Sequence, residues 1–127
     1  MKGDKKSALA DFNKALEYTP NDIASLSNRA YLLYSMGEYR ASIADCDKLL
    51  KLQPSYGLAY CVRGLSRQGL GQYRIAISDL RNASKLSPND FKLKESIMLL
   101  EGMLEAQKDE KSTKDSLFGN ISNIFKF

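Results

Sequence analysis

Residues 23–56, IASLSNRAYLLYSMGEYRASIADCDKLLKLQPSY, and residues 57–90, GLAYCVRGLSRQGLGQYRIAISDLRNASKLSPND, are two copies of one 34-residue pattern. Pro20, Pro54 and Pro88 keep that step, and Gly3, Gly37 and Gly71 repeat it seventeen residues ahead of each proline. Two independent punctuators on one interval define an internal repeat, and 34 residues is the length of a helix–turn–helix unit in a stacked array. Such arrays bury a shared core and present a surface, so the first expectation is a binding module.

With each proline set at position 32, equivalent residues fall into register. Ala8, Ser42 and Ala76 share position 20, and Ala15, Leu49 and Ala83 share position 27. Phe12, Cys46 and Leu80 share position 24, Tyr39 and Tyr73 position 17, Leu26 and Tyr60 position 4, and Ala30 and Gly64 position 8. Small residues at 8 and 20 let two helices cross closely, while larger ones at 4, 17 and 24 fill the space beside the crossing.

This register resembles the tetratricopeptide repeat over residues 1–90, about two and a half units. Departures are mild: Ser42 stands for the usual Ala, Cys46 and Leu80 for an aromatic, and Arg67 for a large apolar residue or Tyr. The resemblance implies an all-α, right-handed superhelical solenoid of antiparallel helix hairpins. Met1 falls inside a unit, so the first unit enters without its opening helix.

Local signals agree with that fold. Thr19-Pro20-Asn21-Asp22 and Ser87-Pro88-Asn89-Asp90 each end one helix and cap the next. Gly37 and Gly71 permit the tight turn inside each hairpin. The expected helices are 4–18, 22–36, 39–52, 56–70, 73–86 and 90–109. In the sixth, Leu93, Ile97, Leu100 and Leu104 recur at helical spacing, which suits a C-terminal capping helix. The solenoid with its cap is expected over residues 1–110. A charged hinge and an amphipathic C-terminal helix are expected over 111–127, with Leu117, Phe118, Ile121, Ile124 and Phe125 as one stripe. That tail has three readings: docking on the groove or cap of its own chain, docking on a second copy to make a homodimer, or docking on a membrane or outside partner. Only Lys114 and Lys126 supply local cations, which disfavours the membrane.

Arg29 and Arg63 share position 7, and Asp11, Asp45 and Asp79 share position 23. Each arginine is 16 residues before the aspartate of its own unit and 18 after that of the preceding one. A periodic bidentate bridge, Arg29 to Asp45 and Arg63 to Asp79, is expected as a structural ion pair inside the stack.

The resemblance also implies a partner-binding groove lined by the first helix of each unit. Carried onto this chain, it selects Ala24, Ser27, Asn28, Tyr31 and Tyr34 in one unit, and Leu58, Cys61, Val62, Leu65 and Gln68 in the next. Asn28, Tyr31, Tyr34, Leu58, Val62 and Leu65 are the expected contacts for a partner peptide or helix. The chain is similar to co-chaperones whose repeats hold the C-terminal carboxylate of heat-shock chaperones. Of that clamp Asn28 is kept, but Leu58 and Val62 stand where two cations belong, and a carboxylate needs charge-assisted donors.

Composition narrows the function further. The chain of 127 residues is 43% hydrophobic and 27% charged, with a net charge of +4. No apolar run is long enough to span a bilayer, and the opening MKGDKKSALADF lacks the apolar stretch of a signal peptide. Cys46 and Cys61 without any histidine make no zinc site and no catalytic triad. Arg63, Arg67, Arg74, Arg81 and Lys85 are not interleaved with aromatic loops, so nucleic acid is not expected. The sequence therefore reads as a cytoplasmic, non-enzymatic adaptor or scaffold for a protein or peptide, without cofactor or metal. Self-assembly through the tail and co-chaperone binding are the alternatives.

Overall fold

The computed structural model describes the backbone over residues 2–124 and side chains over residues 3–117. Six helices follow one another: α1 (Lys2–Tyr18), α2 (Ile23–Ser35), α3 (Tyr39–Leu52), α4 (Gly57–Gly69), α5 (Tyr73–Leu86) and α6 (Phe91–Ile124). No strand occurs among the described residues. Each helix packs on the next, and α2 also touches α4, the next unit's equivalent helix. That contact between first helices makes the array a solenoid rather than a string of hairpins.

The chain turns where its sequence requires it. Gly37 and Gly71 carry φ of 78° and 76°, a region costly for any residue with a Cβ. The Asp22 side chain accepts a hydrogen bond from the Ser25 amide at 3.2 Å, and Asp90 accepts from the amides of Lys92 and Leu93. These caps satisfy donors that the first turn of a helix leaves unpaired.

Two clusters form the core. Leu16, Leu26, Ala30, Cys46, Leu49, Ala59 and Val62 fill the first, joining α1 to α4. Ala76, Ile77, Leu80, Ala83, Leu93 and Leu100 fill the second, joining α5 to α6. Leu26, Leu49, Leu80 and Leu100 are fully buried, each contributing roughly 1.5–3 kcal/mol of transfer free energy. The small residues lie where the helices cross: a Cβ on Gly64 would meet Leu80 Cγ at 3.0 Å and the Ala76 carbonyl at 3.2 Å. Ser42, in place of alanine, donates its hydroxyl to the Ala30 carbonyl at 2.6 Å. It fits the same tight crossing and satisfies its own polarity.

The sixth helix departs from expectation. It does not stop near residue 109 but runs unbroken to Ile124, so the charged stretch 108–115 is helix and not a hinge. Lys and Glu, half of the stretch, are good helix formers, and it holds no Gly or Pro to break it. Among the described residues the backbone of α6 runs close to that of α5 and of no other helix. Of the expected tail stripe, the Leu117 side chain is exposed. The side chains of Phe118, Ile121, Ile124 and Phe125 lie outside the described residues.

Candidate functional site

Arg29 and Arg63 set the spacing of the surface. Arg29 donates from Nε and Nη2 to the two Asp45 oxygens at 2.8 and 2.7 Å, and Arg63 does the same to Asp79 at 3.0 and 2.8 Å. The remaining Nη1 of each reaches back to the preceding second helix, Arg29 to Asn13 at 3.0 Å and Arg63 to Asp47 at 2.9 Å. Asn13 and Asp47 are themselves 34 residues apart. Of the two aspartates each arginine could have reached, it takes the one in its own unit and adds a partner at position 25 of the preceding unit. Each arginine therefore ties three helices.

Arg67 adds a further bond to Asp79 at 2.7 Å. The pKa of Arg63 is raised above its ordinary value, chiefly by the hydrogen bonds it donates to Asp79, and that of Arg29 by those it donates to Asp45. These guanidiniums are engaged inside the stack, and the charge of the array's interior is balanced there.

The side chains expected to line the groove fall into three groups. Ala24, Asn28, Tyr31 and Leu58 are exposed, with Tyr31 58% and Leu58 47% accessible. Tyr34, Cys61, Leu65 and Gln68 are half-buried. The Tyr34 ring lies 6.2 Å from Tyr31 and 6.1 Å from Tyr39, an aromatic ladder from the open face toward the hairpin turn. Burial, then the neighbouring tyrosines, raises the Tyr34 hydroxyl pKa.

Val62 and Ser27 are corrections. Val62 is only 3% exposed and belongs to the first core cluster, against which Tyr34 packs. Flanked by larger side chains, its short branch lies below the surface. Ser27 is buried, and its Oγ accepts from the Tyr56 hydroxyl at 3.2 Å.

Beside this face lies a feature that repeat equivalence did not indicate. Whereas the backbones of α2 and α4 come close, those of α4 and α6 stand farther apart among the described residues. The gap is a cleft of about 440 Å³ between the starts of α4 and α6. Leu58, Cys61, Ala83, Leu86 and Leu93 form its apolar wall, and Ser55, Ser87 and Asp90 its rim.

The chemistry of the site is that of a binding surface. Burial pushes the Cys46 thiol up to about 12, and burial followed by the Asp90 charge raises that of Cys61, so neither favours the nucleophilic thiolate. Both cysteines are free thiols. Among the described residues no cluster of His, Cys, Asp or Glu has the arrangement of a metal site, and no helix is long and apolar enough to cross a membrane.

Comparison with known proteins identifies this architecture. The sequence model of the tetratricopeptide repeat (TPR) matches residues 2–22, 23–56 and 58–90. The chain belongs to the tetratricopeptide repeat family, whose fold is a module for protein–protein interaction. The first TPR of Spaghetti (RPAP3), solved bound to the HSP90 peptide SRMEEVD, is similar with a TM-score of 0.77 at 24% identity, over 82% of each chain. The second TPR domain of human RPAP3, solved with the HSP70 peptide SGPTIEEVD, gives 0.72 at 21% identity over 79% of this chain and 83% of that one. MamA from Desulfovibrio magneticus RS-1 gives 0.75 at 21% identity, over 95% of this chain and 66% of that chain. At these identities the likeness establishes the fold. Among curated protein sequences nothing matches.

Proposed function

We propose that the chain is a non-enzymatic cytoplasmic adaptor that takes a partner peptide or helix along α2 and α4, with apolar anchors entering the cleft beside α6. The observation that carries this is the exposure of Tyr31 and Leu58 next to half-buried Leu65 and Cys61, on helices held rigidly by the arginine bridges. Asn28 supplies a donor and acceptor for a partner's backbone, and Leu58, Leu86 and Leu93 supply a place for an aliphatic or aromatic side chain. Residues 1–110 form the binding array in this reading, and residues 111–127 extend from it.

The groove differs in charge from one built for an acidic C-terminus. Leu58 and Val62 occupy the cation positions of the clamp, and Arg29, Arg63 and Arg67 are all engaged with aspartates. Lys92, one repeat step beyond Leu58, is exposed, but the residue that would complete a cation pair at 96 is serine. A partner with apolar anchors suits this surface better than a free carboxylate does.

Fluorescence anisotropy with labelled SRMEEVD, beside affinity capture from cell lysate by the intact chain and by Leu58→Glu, tests the reading. The adaptor reading expects no saturable binding of the acidic peptide, and capture that Leu58→Glu abolishes while helicity is kept. Tight SRMEEVD binding would favour the co-chaperone reading, and capture indifferent to Leu58→Glu would remove the groove from consideration.

A further inference from the structure

The cleft between α4 and α6 is apolar apart from its rim, and Asp90 is the charged residue among those that line it. Asp90 caps α6 with one oxygen: Oδ1 accepts from the Lys92 and Leu93 amides at 3.1 and 3.3 Å. Its Oδ2 holds no hydrogen bond and no ion pair among the described residues, the Lys92 ammonium included. The carboxylate is also felt inside the cleft. After burial, its charge is the next cause that raises the Cys61 thiol pKa. A wall of Leu58, Cys61, Ala83, Leu86 and Leu93 therefore ends at an unengaged, negatively charged acceptor.

We infer that this cleft takes a lysine side chain of the partner, its stem along Leu58, Leu86 and Leu93 and its ammonium at Asp90 Oδ2. The inference rests on the adaptor reading above and names the anchor that the reading leaves open. Leu58 and Leu86 are 47% and 45% exposed, an apolar surface that a run of methylenes covers while its charged head stays at the solvent edge. A purely apolar side chain would cover the same wall and gain nothing from Asp90. A carboxylate would meet it as a like charge.

The competing field comes from the start of α4, which opens on the cleft without a side-chain cap. Such a start is worth about half a positive charge shared among several amides. Asp90 carries a full charge on a localised acceptor, so a cation has the stronger partner. The rest of the groove does not oppose a basic segment. The charged side chains of α2 and α4 are Arg29, Arg63 and Arg67, and all three are bonded to aspartates.

Cys61 allows the cleft to be read with no partner present, because its half-buried thiol lines the wall while Cys46 is fully buried. The intact chain is equilibrated in a thiol buffer with three symmetric disulfides carrying 2-aminoethyl, n-propyl or 2-carboxyethyl groups, and peptide mapping by mass spectrometry gives the occupancy of each at Cys61. The chain unfolded in urea supplies the intrinsic ratios. Relative to these, the 2-aminoethyl label is expected to be favoured about threefold or more over both others. Asp90→Asn, which keeps a good helix cap, is expected to erase that preference. No preference, a preference for n-propyl or 2-carboxyethyl, an ammonium preference that survives Asp90→Asn, or a Cys61 that takes no label overturns the inference. Any of these leaves the adaptor reading to its own test, since capture by the intact chain and its loss in Leu58→Glu are measured separately.

Discussion

Arg63 holds Asp79 through two parallel hydrogen bonds while its third nitrogen grips Asp47 on the preceding helix. The aspartate side chain is almost wholly buried and also receives Arg67. Removing Asp79 strands two guanidiniums at once, whereas half-exposed Asp47 contributes a bond that water can replace. Asp79→Ala is therefore expected to cost about 2–4 kcal/mol, and Asp47→Ala about 1 kcal/mol or less. Urea unfolding of both variants checks the order, and equal costs would contradict it.

Val62 and Leu58 separate core from surface within one helix. Val62→Glu places a carboxylate in the first core cluster and is expected to lower the unfolding midpoint sharply, at a cost of several kcal/mol. Leu58→Glu and Tyr31→Ala are expected to leave the midpoint nearly unchanged, since both side chains are exposed. Urea midpoints followed by circular dichroism distinguish these outcomes.

Gly64 and Gly102 are both helical, yet opposite effects of alanine are expected. At Gly64 the new Cβ meets Leu80 and the Ala76 carbonyl at 3.0–3.2 Å, so Gly64→Ala forces the crossing apart and costs about 1–3 kcal/mol. At Gly102 nothing lies within 4 Å, so Gly102→Ala is expected to stabilise by about 0.5–1 kcal/mol through backbone entropy. Thermal unfolding at low protein concentration measures both.

Cys46 makes stability depend on alkaline pH. Its thiol titrates near 12 in the fold and near the ordinary value of 9 when unfolded. The folded state keeps a proton that the unfolded chain loses, so this contribution is complete below pH 9 and disappears between pH 9 and 12. The slope approaches about 1.4 kcal/mol per pH unit for one such group. Cys46→Ala is expected to flatten that fall, leaving the shallower decline caused by Cys61 and Tyr34, both of which burial shifts the same way. An unchanged slope in the variant would show that Cys46 is not protected.

The turns and helix ends were legible because their chemistry is local. Proline, glycine with positive φ and Asp caps place α2 to α5 within a residue of expectation at each end. The arginine bridges were legible because their step matches the repeat. What the sequence did not disclose depends on neighbours. Val62 occupies a groove position by register, but its size relative to Tyr34 and the surrounding core decides that it is covered. The stretch 108–115 looked like a hinge because it is charged, yet a helix is stopped by breakers and not by charge. The cleft beside α4 arises from how far α6 stands off, which no single residue announces.

The most direct test of the adaptor account is site-specific photo-cross-linking in cell extract, with benzoylphenylalanine placed singly at Tyr31, Leu58, Leu52 or Ile75. All four side chains are exposed, the first two on α2 and α4 and the last two on the second helices α3 and α5. The account predicts partner adducts from Tyr31 and Leu58 and none from Leu52 or Ile75. Adducts confined to Leu52 and Ile75 would contradict it.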